Sequence, residues 1–142
     1  MQLSSYVSRL LDVLDGLCPP AKVSAHCDLP CGVYDPAQAR IEAESVKACM
    51  EKFNASDDAV FKERAVLIKE ERADLVKHHL WVLWTDYFKP EHLEKHPGLH
   101  EIFWKTTKAA GEAKKTNDPA VAERLLAGIS QIDTIFWETK KG

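Results

Sequence analysis

The stretch FKERAVLIKEERADLVKHHLWV, residues 61–82, carries the longest helical pattern in the chain. It holds no proline or glycine, and its apolar residues recur every three or four positions, which is typical of an amphipathic helix. We predict one helix from about Asp58 to Phe88, where a lysine and a proline follow and end it. The positions predicted to face the core are Phe61, Ala65, Ile68, Arg72, Leu75, His79 and Val82.

Three further helices are predicted on either side of this one. The first begins at Asp35-Pro36, a capping residue followed by a proline suited to the first helical position. The third covers about residues 97–115, and the fourth begins at Asp118-Pro119 with the same signal. No strand alternation or internal repeat is present in the sequence. Four amphipathic helices with short connections predict an all-α fold, an antiparallel up-and-down four-helix bundle.

Two charged residues interrupt the predicted inner faces. Arg72 falls in the apolar register of the longest helix, and Glu42 falls in the register of the helix before it. A long arginine side chain can also reach the surface from such a position. Two opposite charges on facing stripes favour a buried pair, because a buried charge without a partner is costly.

Three histidines, His92, His96 and His100, are spaced like metal ligands on one helical face. Pro97 disfavours helical backbone at His96, so the three do not fit one regular helix. We predict that this spacing is a surface coincidence and not a metal site.

Composition and charge narrow the classes of function. The 142 residues suffice for one domain with a modest core. A net charge of −3 and a pI of about 6.1 give no indication of nucleic-acid binding, and no apolar run is long enough to cross a membrane. The four cysteines do not look like a disulfide framework, which favours a cytoplasmic protein with reduced thiols.

The stretch HCDLPCGVY, residues 26–34, is the candidate metal site. Cys27 and Cys31 stand four positions apart, His26 directly precedes them, and a proline and a glycine favour a tight turn that brings the sulfurs together. Thiolate and imidazole ligands suit zinc, copper, iron and nickel. The cysteine pair can instead form a disulfide or half of a zinc site, and the pattern alone leaves these alternatives open.

The motif HCDLPCGVYDP, residues 26–36, closely resembles the metal hook of the nickel superoxide dismutases. Four later stretches resemble the same family, in its order: RIEAESVK at 40–47, IKEERADLVKHH at 68–79, LWTDYFKP at 83–90 and QIDTIFWETKK at 131–141. The resemblance covers nearly all of the chain after Ala25. It implies an enzyme that converts superoxide to hydrogen peroxide and dioxygen by Ni(III)/Ni(II) cycling, with one nickel ion per subunit.

The resemblance implies a ligand set at the start of the processed chain. Cys27 and Cys31 supply thiolates, which lower the potential of nickel until Ni(III) is reachable. The α-amine of His26 and the backbone nitrogen of Cys27 complete a square-planar set for Ni(II), and the imidazole of His26 is the axial ligand of Ni(III). Pro30 is expected to be cis, as it is in the family.

The resemblance also assigns roles outside the hook. Glu42 and Arg72 match the pair that orients the axial imidazole, in agreement with the buried pair predicted above. Tyr34 and Tyr87 match the tyrosines that flank the open face of the nickel, and Lys89 matches a cation near the site entrance that favours superoxide. Without the resemblance, ordinary packing would explain Tyr34 and Tyr87, and a solvated surface charge would explain Lys89.

Residues 1–25 are predicted to be a pro-segment. Val23-Ser24-Ala25 resembles a signal-peptidase site, but Asp12 and Asp15 interrupt the apolar stretch before it, which argues against secretion. In the family a dedicated maturation protease removes such leaders. Removal would turn the backbone nitrogen of His26 into a primary amine that can bind metal.

The predicted enzyme domain is residues 26–142, with the hook at 26–34 and the bundle at about 35–140. By resemblance it assembles as a homohexamer. Two other interpretations stay open from the residues alone: a helical protein that binds nickel, copper or zinc without turnover, and a structural bundle with a Cys27–Cys31 disulfide. The presence of Tyr34, Tyr87, Glu42 and Arg72 together favours the enzyme.

Overall fold

The computed structural model describes residues 32–141, and this part of the chain is helical. Its elements are α1 (Ala37–Ala55), α2 (Ala59–Val82), a π-helical segment (Leu83–Tyr87), the short α3 (Pro90–Lys95), α4 (Leu99–Ala113) and α5 (Pro119–Lys141). No strand occurs between residues 32 and 141. Within that range, no helix combines the length and the hydropathy that a membrane span requires.

The four long helices pack in a closed ring. α1 lies against α2 and α5, and α4 lies against the same two helices. The connection from α1 to α2 is residues 56–58, and that from α4 to α5 is residues 114–118. Such short links make the joined helices antiparallel. The predicted all-α four-helix bundle is therefore confirmed.

Short polar side chains start the helices where the sequence predicts them. The Asp58 carboxylate accepts hydrogen bonds from the backbone N–H groups of Val60 and Phe61, at 2.9 and 3.3 Å. These bonds satisfy two of the N–H groups that every helix leaves unpaired at its start. Asp35 accepts from the Ala37 N–H at 2.8 Å, but Pro36 occupies the cap position. Helix α1 therefore begins two residues later than predicted.

The predicted inner register of α2 is wrong at most positions. The buried residues of α2 are Ala65, Lys69, Ala73, Val76 and Leu80, and Leu83 continues the row. Phe61 and Ile68 are each 41% exposed. Apolar residues occur on two faces of α2, and the bundle takes the face with the smaller side chains, since alanines allow α1 and α2 to approach closely. Of the predicted inner residues, only Ala65 is fully buried.

The core is divided by residue size along the bundle. One cluster holds the large side chains and includes Leu80, Leu83, Phe88, Phe103 and Phe136. A second cluster holds mostly smaller ones: Val46, Met50, Ala73, Ala113, Val121 and Ala122. The large cluster is also the one against which Tyr34 and Tyr87 pack.

Two elements are not apparent from the sequence pattern. The first is the π-helical segment, in which the Phe88 N–H donates to the Leu83 carbonyl at 3.0 Å, a spacing of five residues. The second is α3, which begins with Pro90 at its first turn. The helix predicted from residue 97 begins instead at Leu99.

Candidate metal centre

The described chain begins immediately after the second hook cysteine. His26, Cys27 and Cys31, the predicted nickel ligands, and Pro30, predicted to be cis, lie outside the described residues. Gly32, the first described residue, has a φ of +71°. This left-handed conformation is one that glycine adopts at little cost and other residues disfavour.

Tyr34 and Tyr87 come together at this end of the molecule. Their ring centroids are 5.7 Å apart with the rings tilted by 54°, and both side chains are half-buried. Tyr87 also packs on Phe136, with centroids 4.4 Å apart. Its hydroxyl shares a 2.8 Å hydrogen bond with the Thr139 hydroxyl. The two tyrosines that the sequence singled out thus form one aromatic cluster next to Gly32.

The π-helical segment helps to place Tyr87 in this cluster. The segment ends at Tyr87, and its backbone hydrogen bonds span five residues instead of the four spanned in the α-helix that precedes it. The wider turn rotates the residues that follow relative to a regular helix. Such segments are often found at functional sites. Here the segment contains Tyr87, a predicted site residue.

Glu42 and Arg72 form the predicted pair between α1 and α2. The Arg72 guanidinium donates to the Glu42 carboxylate at 3.3 Å. The Glu42 side chain is 17% exposed and that of Arg72 is 36% exposed. The pairing predicted from register is confirmed, although it lies at the flank of the bundle and not at its centre. Arg72 is also 3.8 Å from Glu71.

The tyrosine pair and the ion pair lie at different levels of the bundle. Arg72 and Tyr87 are fifteen residues apart on one continuous helical stretch. At 1.5 Å per residue this corresponds to about 20 Å along the axis. The two pairs are therefore separated by about 20 Å along the bundle.

Lys89 and the three spaced histidines do not add a metal cluster. Lys89 is exposed, and its backbone N–H donates to Nδ1 of His92 at 3.2 Å. His96 is 3.8 Å from Glu138, and the His100 ring lies against Trp84. Among residues 32–141, no three His, Cys, Asp or Glu side chains are placed to hold a metal ion.

Cys49 is the one free cysteine in the described part of the chain. It lies half-buried on α1, and burial raises the pKa of its thiol above the ordinary value. A thiol held in its protonated form is a poor metal ligand. Cys49 is therefore a poor candidate for a metal ligand.

Sequence reasoning missed Lys140, which reaches the same end of the bundle from the last turn of α5. Its ammonium nitrogen lies 5.3 Å from the ring centroid of Tyr87 and 5.4 Å from that of Phe136. It also donates to the Gly32 carbonyl at 3.5 Å. The signal was present in the family-like stretch at 131–141, but helix periodicity alone makes Lys140 an ordinary exposed lysine.

The described residues define a four-helix-bundle protein in which Tyr34 and Tyr87 form an aromatic cluster at one end. The family model for nickel-containing superoxide dismutase matches residues 21–140. The chain therefore belongs to the nickel superoxide dismutases. Membership in this family decides between the interpretations left open by the sequence, in favour of an enzyme that dismutates superoxide and uses nickel.

Relatives from two species support this assignment over almost their full length. The nickel superoxide dismutases of Streptomyces seoulensis and Streptomyces coelicolor are each 63% identical over 123 residues, which is 87% of this chain and 94% of theirs. A native nickel superoxide dismutase structure is 62% identical, with a TM-score of 0.80. The match covers 82% of this chain and all of that one.

The donors that the sequence supplies fit nickel. Cys27 and Cys31 offer two thiolates and His26 an imidazole, a set soft enough for nickel in a site without carboxylate ligands. The described residues hold no competing cluster. Bound nickel supplies an Ni(III)/Ni(II) couple that takes an electron from one superoxide and returns one to the next.

Proposed function

We propose that residues 26–34 form the nickel hook, with His26, Cys27 and Cys31 as its ligands. The observation that carries this proposal is the position of residues 32–34. Gly32, which is bonded to Cys31, has a φ of +71°, and Tyr34 packs on Tyr87. The residues that follow Cys31 thus lie near two phenols and a lysine, in a protein of a nickel-dependent family.

Tyr34 and Tyr87 are proposed to line the substrate approach. Their rings exclude bulkier molecules, and the Tyr87 hydroxyl donates to the Thr139 hydroxyl, whose own proton goes to the Phe136 carbonyl at 2.7 Å. The Thr139 hydroxyl limits the rotation of the Tyr87 hydroxyl, because the two share a hydrogen bond. Lys89, exposed two residues after Tyr87, is proposed to attract superoxide by its charge.

Glu42 and Arg72 are proposed to orient the imidazole of His26. A half-buried carboxylate held by a guanidinium is a fixed acceptor for an imidazole N–H. Gly32 lies six residues after His26, and six extended residues span up to about 20 Å. The imidazole can therefore reach the pair in its own subunit or in a neighbouring one.

Residues 1–25 are proposed to be a pro-segment that a maturation protease removes, leaving residues 26–142 as the enzyme domain. The solved relative is matched in full by 82% of this chain, the share that remains when residues 1–25 are set aside. A backbone amide nitrogen that keeps its proton is a poor neutral donor to metals, whereas the α-amine of a processed chain has a lone pair once its proton is lost. Cleavage is then the step that creates a ligand.

The processed chain is proposed to work as a cytoplasmic homohexamer. Trp81, Trp104 and Trp137 are each 43–58% exposed, and Phe61 and Ile68 form a further apolar area on α2. Exposed aromatic residues of this size are typical of protein interfaces. Sedimentation of the processed protein tests the assembly, and a monomeric mass at micromolar concentration would contradict it.

Serine substitutions test the proposed ligands. We expect Cys27→Ser and Cys31→Ser to abolish nickel-dependent superoxide decay, because a hydroxyl is not a soft anionic donor. Cys49→Ser is the matched control, since Cys49 lies on α1 with its thiol pKa raised by burial. It should keep nearly the full rate per bound nickel. Loss of activity in Cys49→Ser with an intact fold, or full activity in either hook variant, would contradict the assignment.

A further inference from the structure

Lys140 is held at the hook end of the bundle by three contacts from different parts of the chain. Its ammonium nitrogen lies over the rings of Tyr87 and Phe136, at 5.3 and 5.4 Å from their centroids. It also donates to the Gly32 carbonyl, 108 residues away in sequence, at 3.5 Å. Cation–ring contacts of this kind each contribute about 0.5–1 kcal/mol at exposed sites.

The charge of Lys140 is not neutralised by a carboxylate in the described part of the chain. Other cations there have such a partner, for example Lys114 with Asp74 and Arg124 with Glu112. A cation in the last turn of a helix interacts favourably with the helix dipole. The next residue, Lys141, has that advantage too, so the dipole does not explain why Lys140 turns back onto Tyr87 and Gly32.

We propose that Lys140 is a positioning residue that fixes the segment after Cys31 on the bundle and so holds the nickel hook in its metal-binding shape. This inference rests on the proposed ligand set of the hook. Gly32 is bonded directly to Cys31, so a hydrogen bond to the Gly32 carbonyl limits the directions in which the Cys31 thiolate can point. The contact joins Gly32 and Lys140, which lie near opposite ends of the proposed enzyme domain in sequence.

The contact with Lys140 reduces the conformational freedom of the segment after Cys31 before metal binds. A loop that is partly fixed before metal binds loses less conformational freedom when it closes around the ion. This effect raises nickel affinity.

Three variants of the processed chain, residues 26–142, separate this role from others. Lys140→Met keeps the length of the side chain but removes the charge and the donor. Lys140→Arg restores both, and Lys141→Met makes the same change in net charge one residue away. Nickel affinity is measured by competition with a chelator, and thiolate ligation by the thiolate-to-nickel absorption bands. Hydrogen exchange of residues 32–34 is followed in the full 142-residue chain.

We expect Lys140→Met to bind nickel about tenfold more weakly, as is typical for a partner outside the ligand shell. Exchange at residues 32–34 should be faster in the same variant. Lys140→Arg should restore at least half of the loss on a logarithmic scale, and Lys141→Met should behave as wild type. Equal nickel affinity in Lys140→Met and wild type overturns the proposal, even if superoxide decay is slower, because Lys140 would then only attract the substrate. Equal losses in Lys140→Met and Lys141→Met also overturn it. A wild-type chain without thiolate-to-nickel bands would instead overturn the ligand set, and the inference with it.

Discussion

Single charged residues connect neighbouring elements of the bundle through hydrogen bonds and ion pairs. The Glu42–Arg72 ion pair links α1 to α2 with its carboxylate mostly buried. Lys69, only 2% exposed, crosses to the connection before α5 and donates to the Thr116 carbonyl at 2.6 Å and to Asn117 Oδ1 at 2.9 Å. The ion pair and Lys69 each place charge at positions where an apolar side chain would avoid the cost of burial. The ion pair is proposed to orient a metal ligand, and Lys69 fixes a loop.

The proposed role of Glu42 and Arg72 predicts a graded loss of function. Glu42→Gln should keep nickel but loosen the imidazole of His26, with turnover reduced by about tenfold. Arg72→Ala should do more damage, because it also leaves a largely buried carboxylate without its partner. The measurements are superoxide decay per bound nickel and the rhombic electron-spin signal of axially ligated Ni(III). Unchanged signal and turnover in both variants would show that the pair is only structural.

Lys69 predicts a dependence of stability on pH. Burial lowers the pKa of Lys69 below the ordinary value, with Glu70 and Cys49 opposing the shift. Between the folded and the unfolded pKa, the unfolded chain binds more protons, so the contribution of Lys69 to stability rises with pH up to about 10.4. Lys69→Met should lower the free energy of unfolding at pH 7 by about 1–2 kcal/mol, because two buried acceptors lose their donor.

Denaturant unfolding from pH 7 to 10 measures this effect. The difference in unfolding free energy between wild type and Lys69→Met should grow as the pH rises. Lys115→Met, at an exposed position in the same connection, is the matched control and should show a constant difference. A difference that shrinks as the pH rises would show that folding does not lower the pKa of Lys69.

At the scale of elements, the π-helical segment sets the direction of Tyr87. A π turn has one residue more than an α turn, so removing one residue from Leu83–Tyr87 should restore a continuous α-helix. The residues after the deletion then rotate by about 100°. Tyr87 would no longer face Tyr34 and Gly32.

Deletion of Thr85 tests this account. We expect the helical content to stay near that of wild type while superoxide decay per nickel falls by at least tenfold. Thr85→Ala keeps the register and loses only the hydrogen bonds to Trp81 and Asp86, so it should retain most activity. Full activity in the deletion variant would show that the direction of Tyr87 is not set by the π segment.

The helices and their ends could be predicted from sequence because their signals are local. Asp118 caps α5 as expected, α2 begins at Ala59, within a residue of its predicted start, and the Glu42–Arg72 pair followed from two charges at opposed positions. The inner face of α2 could not be predicted, since apolar residues occupy two of its faces and only tertiary packing chooses between them. The π segment and the position of Lys140 depend on contacts between distant residues, which periodicity does not contain.

At the scale of the whole molecule, the bundle is complete without the first 31 residues. Every long helix packs on two others within residues 37–141. We therefore expect the bundle to stay folded when the N-terminus is processed. On the proposed account, cleavage changes the nitrogen of His26 from an amide to an amine, and activity should depend on that change.

The most direct test of this account compares three N-termini of the chain. Proteins that begin with Ala25, His26 and Cys27 are loaded with nickel, and superoxide decay is measured per bound nickel. Only the protein that begins with His26 should be fully active. An additional Ala25 removes the amine from its ligand position, and loss of His26 removes both the amine and the imidazole. Equal activity in the protein that begins with Ala25 would contradict the claim that the free amine of His26 is a required ligand.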